Sequence, residues 1–448
     1  MEQNQQFIRM TQTPVGKLIT TLSVPTIISM LVTSVYNMAD TFFVSKLGTS
    51  ASGAVGIVFS VMAIIQAVGF TFGMGSGTWI SRLLGAKEEE KSKEVAATGF
   101  YSAIFLGIVM TVLGEWKIDE LMKILGASDT ILPYARDYAR YILLAAPIMG
   151  SSFVLNNILR SEGHAKFAMI GITVGGLLNI ALDPLFIFTF QMGIRGAAVA
   201  TALSQLISFL ILLSYFVMHK TITRLGIHRL SKDPKVYYQI LKNGMPSLSR
   251  QGLASIASIL LNKQAMIYGD AAVAAMAIVS KIFMMIFSVM IGFGQGYQPV
   301  AGFNYGAGKM ERVKEALRFT LRVGVVGMSL AAVALFIAAS KLMGIFIPDD
   351  PAVIDIGTMA LRAQAISMPL IPIGTVSNMT YQAVGKAWRA TIMSSMRQGI
   401  FFIPLVFLLP AVFELGGVVS TQAAADGLTA LICAPFLLQF YRNLTEDA

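Results

Sequence analysis

A register shift of 221 residues lays the second half of this 448-residue chain over its first half, and that duplication limits the possible folds more than any single motif. Phe293-Gly294-Gln295-Gly296 falls on Phe72-Gly73-Met74-Gly75, Gly306-Ala307 on Gly85-Ala86, Glu311 on Glu90, Lys314-Glu315 on Lys93-Glu94, Pro246 on Pro25 and Gly417 on Gly196. At a shift of 222 the match continues with Pro369 on Pro147, Asn378 on Asn156 and Gly385 on Gly163. Each half must fold as a copy of one unit. That unit is suited to a bilayer: 55% of the residues are hydrophobic and 13% charged, against about 25% charged in soluble domains.

Apolar stretches of roughly 20 residues, the length a helix needs to cross about 30 Å of hydrocarbon, recur along the whole chain. They predict helices at 18–45, 51–80, 94–114, 131–158, 167–190 and 194–218, then at 239–267, 271–300, 316–340, 353–383, 388–411 and 416–440. No alternating β-barrel pattern is present, which leaves helices as the spanning structure that satisfies its own backbone. The expected fold is an all-α polytopic membrane protein, twelve transmembrane helices in two parallel six-helix repeats. Residues 1–218 form one lobe, 219–238 a linker and 239–448 the other lobe. The polar start, Met1 to Thr13, lacks the short apolar core and cleavage site of a signal peptide, so the first helix is expected to target itself. The single cysteine, Cys433, excludes an intrachain disulfide and is expected to pack in the last helix.

The formal charge of +10 is distributed by loop. Basic residues crowd alternate connections: Arg82, Lys87, Lys91 and Lys93; Arg160 and Lys166; Lys220 through Lys242; Lys309, Arg312 and Lys314; Lys386 and Arg389. The opposite connections are acidic or sparse: Glu115, Asp119, Glu120 and Asp129; Asp270; Asp349, Asp350 and Asp355; Glu414. The positive-inside rule then puts both termini and the linker in the cytoplasm, and accounts for the basicity without a nucleic-acid partner. With an even number of spans per half, the repeats are parallel, an arrangement associated with a central cavity and alternating access.

Ionisable residues deep in apolar spans are expensive, so each is a functional candidate. The first half has two such acids, Asp40 near the outer end of the first helix and Asp183 near the outer end of the fifth, at a shared depth. Thr26, Ser29, Thr33, Tyr36, Asn37 and Asp40 recur along one face of the first helix, and Asn179 sits one turn before Asp183. Asn156 and Thr201 offer further neutral ligands. The competing reading of the small polar groups is that they only join helices. A carboxylate in a low-dielectric site favours its protonated form, a second acid beside it strengthens that preference, and a bound cation reverses it. Such a pair can exchange H⁺ for a cation; Asp40, Asp183 and Asn179 also make a hard-ligand set for Na⁺. Chemistry alone does not choose between the ions. No structural metal and no cofactor is called for.

The second half differs. Ser247, Gln251, Ser255, Ser258 and Asn262 form a neutral polar stripe on its first helix beside Arg250 and Lys263, and Lys281 and Arg397 follow. Its one deep acid, Asp426, aligns with Gln205 of the first half. Either Asp426 lines a cavity with Gln205, Arg397 and Arg250 as candidates for holding cationic substrates, or it is the buried ion-pair partner of Arg397 or Arg250. The 26 methionines line a pliable pocket or simply pack against lipid and neighbouring helices. Pro25 and Pro246, equivalent in the two halves, are hinge candidates or static kinks. There is no phosphate loop, since the Gly-Lys pairs at 16, 308 and 385 are followed by Leu, Met and Ala, and His164, His219 and His228 form no zinc motif. Neither an ATPase nor a metalloprotease is supported, and no enzyme is expected.

Several segments together resemble the multidrug and toxic compound extrusion (MATE) family: Ser23-Val24-Pro25, Tyr36-Asn37-Met38-Ala39-Asp40-Thr41 with Gly48, Gly75-Ser76-Gly77-Thr78 to Leu84-Gly85-Ala86, Arg160-Ser161-Glu162-Gly163, Asn179 through Asp183-Pro184, Gly193 through Ala198, and Gly306-Ala307-Gly308. The resemblance covers essentially the whole chain and is nearest to the prokaryotic DinF-like and MepA-like branches. It implies two six-helix lobes around a V-shaped cleft and export driven by H⁺ or Na⁺ antiport. The chain is expected in the cytoplasmic membrane of a prokaryote and to work as a monomer. The positions matching the coupling site of DinF-like relatives are Tyr36, Asn37, Asp40, Asn156, Asn179, Asp183 and Thr201. A second cation site of the NorM-like kind lacks its acids here. Three readings remain open at this level: an exporter of amphipathic, often cationic organic compounds; a flippase for lipid-linked or polysaccharide precursors; and a channel or membrane enzyme.

Overall fold

The computed structural model describes residues 2–348 and 350–446; Met1, Asp349, Asp447 and Ala448 lie outside them, and with Asp349 goes one of the acidic loop residues counted above. The described residues are helical almost throughout and contain no strand. A leading helix, Glu2–Gln12, precedes the spans and was not expected from its polar sequence. The first half then runs through α1 (Val15–Ser45), α2 (Thr49–Gly85), α3 (Glu89–Trp116), α4 (Leu132–Ser161), α5 (Ala165–Pro184) and α6 (Ile194–Val217). The second half repeats the order with α7 (Pro234–Met266), α8 (Asp270–Gly306), α9 (Met310–Phe346), α10 (Pro351–Ser367, resuming at Ile371–Ala383), α11 (Ala387–Ser395, resuming at Phe402–Phe413) and α12 (Leu415–Glu446). Eleven of these are long and apolar enough to cross a membrane. The twelfth, α7, is as long, but Lys242, Arg250 and Lys263 and the polar stripe make it less apolar.

Local chemistry explains where the spans break. Pro369 and Pro372 carry no N–H, and α10 passes through a short 3₁₀ turn, Met368–Leu370, at that point. A π turn, Leu185–Thr189, follows Pro184 at the end of α5, and another, Met396–Ile400, interrupts α11. π turns insert an extra residue into a helix and redirect the side chains that follow. Both lie in the fifth helix of their half, beside or around a charged residue, Asp183 in one case and Arg397 in the other.

The duplication extends to the backbone. Gly193 before α6 has φ 58°, ψ −136°, and Glu414, its counterpart 221 residues later before α12, has φ 51°, ψ −130°. Glycine enters this region freely, whereas a residue with a Cβ is strained there. Close approach of backbones is also duplicated. A Cβ on Gly75 would collide with the carbonyl oxygen of Ile240, and one on Gly296 would collide with Ser23.

Two compact units emerge. One comprises 1–9 and 24–244, the other 10–23 and 245–448. The expected division into lobes at 218 and 239 is therefore offset: the opening turns of α1 belong to the second unit, and the linker with the opening turns of α7 belongs to the first. Within the second unit, Ser23 Oγ donates to the Phe293 carbonyl at 3.0 Å and Arg312 Nη2 to the Thr13 carbonyl at 2.6 Å. Within the first, the Ser231 N–H donates to Thr98 Oγ1 at 3.1 Å and the Tyr101 hydroxyl to the Leu225 carbonyl at 2.8 Å. The changeovers, at Val24 and Met245, are again 221 residues apart, and Pro25 and Pro246 each follow by one residue.

In the first unit α4 is the central helix, with 78% of its apolar window buried against 28–50% for the other spans. Tyr138, Ile142, Ala146 and Met149 of α4 pack with Val58, Val61 and Ile65 of α2. Phe105, Leu113, Ile337 and Leu408 instead point outward, as expected of side chains that face lipid.

Glu162, just past α4, is fully buried and clasps the linker. Its Oε1 accepts from the Thr223 N–H at 2.9 Å and from the Thr223 hydroxyl, and its Oε2 from the Ile222 N–H at 3.0 Å. Burial holds this carboxyl above the usual carboxylate range, opposed by those hydrogen bonds and by the charge of Arg224. The raised value means the folded state binds the proton more tightly than the unfolded one. The associated stability is therefore present at low pH and is lost as pH rises through the folded-state value. Thermal unfolding midpoints of the detergent-solubilised protein, measured relative to Glu162→Gln, should fall as pH rises through that range; a difference that does not change with pH would refute the assignment. Independently, Glu414→Gly should stabilise the detergent-solubilised protein by about 1 kcal/mol or more through relief of backbone strain, and Gly193→Ala should destabilise it, both read from thermal unfolding midpoints.

Candidate functional site

The first unit gathers polar side chains from four helices. Helix α1 contributes Tyr36, Asn37 and Asp40, α4 contributes Tyr138, α5 contributes Asn179 and Asp183, and α6 contributes Thr201 and Gln205. Asn179 and Asp183 are four residues apart and so share one face of α5. Asn179 Nδ2 donates to Asp183 Oδ1 at 3.4 Å and, across to α6, to Thr201 Oγ1 at 3.2 Å. From α4 the Tyr138 hydroxyl donates to Asp40 Oδ2 at 3.3 Å, and it also faces Thr201. Tyr36 faces Gln205. The carboxylates of Asp40 and Asp183 are near enough to interact electrostatically.

Asp183, Asn179, Thr201 and Tyr138 are all buried, and Asp40 is half-buried. Three oxygens in this cluster have no hydrogen-bond partner among the described residues: Asp40 Oδ1, Asp183 Oδ2 and Asn179 Oδ1. An unsatisfied buried acceptor costs roughly 1–3 kcal/mol, and more when charged. Three together form an acceptor set that a proton or a small hard cation would complete.

Of the seven positions expected to form a coupling site, Tyr36, Asp40, Asn179, Asp183 and Thr201 enter these contacts. Asn37 lies one turn before Asp40, but its side chain joins none of the hydrogen bonds above. Asn156 is placed elsewhere: its Nδ2 donates to the Ala168 carbonyl at 3.1 Å, which ties α4 to α5. Ala168 is eleven residues from Asn179, about 16 Å along the helix. Tyr138 was not singled out from the sequence. The available signal was depth, since Tyr138 is six residues inside α4 and Asp40 six residues before Lys46.

The second unit holds a different arrangement. Arg397 Nε donates to Asp426 Oδ1 at 2.6 Å and Nη2 to Oδ2 at 3.4 Å, while Gln422 Nε2 donates to Asp426 Oδ1 at 3.0 Å. The guanidinium lies 4.1 Å from the ring centroid of Phe287 and 5.5 Å from that of Phe283. The π turn carries Arg397 towards α12 and these rings. Asp426 thus forms the ion pair with Arg397, one of the two arrangements weighed from the sequence, and does not pair with Arg250. Asp426, Arg397 and Arg250 nevertheless line one cleft. Gln205 does not line it; it faces Tyr36 in the first unit. Lys263 and Lys281 are exposed and do not line it either.

Because Asp426 is 1% exposed at its side chain and Arg397 15%, removing one partner leaves the other charge buried alone. Arg397→Met should destabilise the protein by about 3–5 kcal/mol, whereas the double change Arg397→Met with Asp426→Leu should recover most of that loss. Thermal unfolding of the detergent-solubilised variants decides the matter, and equal instability of the single and double variants would contradict it.

Comparison with known proteins bears on the whole chain. The MatE family profile matches twice, over residues 25–185 and 246–408, with starting points at the 221-residue spacing of the internal repeat. "Multidrug export protein MepA" of Staphylococcus aureus (strain N315) is 30% identical over 446 residues, 99% of this chain and 98% of that protein. The protein of the same name from Staphylococcus saprophyticus is 29% identical over 426 residues, 95% of this chain and 94% of that one. Among solved structures, a MATE transporter in complex with MaL6 superposes with a TM-score of 0.93 at 27% identity, covering 98% of this chain and 99% of the other.

Proposed function

We propose, on the premise that this chain belongs to the MATE family, that it exports amphipathic organic compounds in exchange for protons, with Asp40 and Asp183 carrying the coupling ion. The observation that carries this reading is the set of three unpartnered oxygens on Asp40, Asp183 and Asn179 in a buried cluster built from α1, α4, α5 and α6. Two acids that sense each other's charge in a dry site hold a shared proton more readily than either alone, and the pair titrates as a unit. Asn179 and Thr201 orient Asp183, and Tyr138 supplies a neutral donor to Asp40. The same oxygens would suit Na⁺, which is the alternative ion for this site.

Alternating exposure of the loaded and unloaded site needs a place where the spans can bend. Pro25 and Pro246 supply it in this reading. Each lies one residue past the point where its helix passes from one compact unit to the other, and each lacks the N–H that would stiffen the helix there. The distribution of basic loops supports a bilayer orientation with both termini and the linker in the cytoplasm, and the working unit in this reading is a single chain in a prokaryotic cytoplasmic membrane.

Asp40→Asn and Asp183→Asn should each abolish gradient-driven efflux from proteoliposomes while leaving insertion and monodispersity unchanged. A pH gradient without sodium should drive efflux by the wild type. Wild-type transport by both variants would refute the coupling assignment, and transport driven only by a sodium gradient at fixed pH would reassign the ion.

A further inference from the structure

We propose that the cleft in the second unit binds an organic acid, with Arg250 receiving its carboxylate; this rests on the reading of the chain as an exporter and names the substrate class of one of its sites. The charge balance of the cleft is the first argument. Its charged lining consists of two guanidinium groups, Arg250 and Arg397, and one carboxylate, Asp426. Asp426 is fully committed, accepting from Arg397 on both oxygens and from Gln422. Arg397 is committed in return and lies over Phe287. The pair is neutral, which leaves the cleft with one uncompensated positive charge.

That charge is on Arg250. Its Nη1 is buried and has no hydrogen-bond partner among the described residues, and no ion pair among them includes Arg250. A guanidinium carries five donors in a planar fork that matches a carboxylate. Held away from water without a partner it is costly, and a ligand that neutralises it recovers that cost. Asn378 adds a second unpartnered buried atom in the same cleft, its carbonyl oxygen Oδ1, which can accept from an amine or hydroxyl of the same molecule. The remaining walls include Phe287, Ile291 and Leu370, apolar surface for an organic body that a small inorganic anion would leave unused. An organic cation, the ligand expected from the sequence because of Asp426, would instead meet a neutralised acid and a free guanidinium.

The test uses the purified full-length protein in phosphatidylcholine nanodiscs and a matched pair of fluorescent probes, an aromatic amino acid derivative with a free carboxylate and its methyl ester. Wild type should bind the acid about tenfold or more tightly than the ester, the value of one charge-assisted hydrogen bond. Arg250→Gln should bring the two to parity, and Arg250→Lys should retain part of the preference. Equal affinities in the wild type would overturn the proposal without recourse to any variant, as would a preference that survives in Arg250→Gln. Anionic lipid headgroups share the acidic chemistry, so the measurement is repeated with phosphatidylglycerol in the nanodisc. Loss of acid binding by competition there would assign the cleft to lipid and overturn the substrate assignment; undiminished binding supports it. Whether the chain exports at all is read separately, from efflux of a permanently cationic dye by wild-type proteoliposomes, and failure there leaves the probe comparison to be judged on its own.

Discussion

Water is absent from the interior of a bilayer, so any polar atom placed there must find its partner within the protein or remain unsatisfied. The rest of this structure can be read as a response to that constraint. Within the described spans, backbone groups are satisfied by helices, interrupted at prolines, at the 3₁₀ turn Met368–Leu370 and at two π turns. Serine and threonine hydroxyls along the spans mostly return their protons to carbonyls of the preceding turn, as Ser29 does to Pro25, Thr71 to Ala67 and Thr320 to Ala316. Against that thrift, buried atoms left open are conspicuous where they gather beside a charge, at Asp40, Asn179 and Asp183 in the first unit and at Arg250 and Asn378 in the second.

Those places differ in sign. The first unit leaves carboxylate and amide oxygens unfilled, an acceptor-rich pocket suited to something positive and small. In the second unit an acid is present but saturated, and the group left over is a guanidinium. Duplication therefore supplied two copies of one scaffold while the polar chemistry on them diverged. Asp183 and Arg397 show how local geometry takes part: each sits in or beside a π turn in the fifth helix of its half, yet the turns occupy different positions along that helix and present groups of opposite charge.

Much of the architecture was legible in the residues. The 221-residue register marks the two halves, the apolar runs place the spans, and the depths of Asp40 and Asp183, with Asn179 one turn away, bring the three together. Periodicity could not supply lateral neighbours. Nothing in the spacing of Tyr138 distinguishes a membrane-boundary aromatic from a donor to Asp40, because that depends on how α4 is rotated inside the unit. Asn156 had the opposite problem: its type fitted an ion site, but its position along α4 brings it to the carbonyl of Ala168. Asp426 aligned with Gln205, yet Gln205 faces Tyr36 while Asp426 faces Arg397, so equivalence in the repeat did not extend to equivalence of partners. The leading helix Glu2–Gln12 and the Glu162 clasp escaped notice because both depend on contacts remote in sequence, including the hydrogen bond from Gln6 to the Glu162 carbonyl.

The changeovers at Val24 and Met245 interlock the two halves of the sequence. Residues 10–23 of the first half are built into the second compact unit, and the linker with the opening turns of α7 is built into the first. Cutting the chain within the linker would therefore divide it into two pieces, neither of which contains all the residues of either unit.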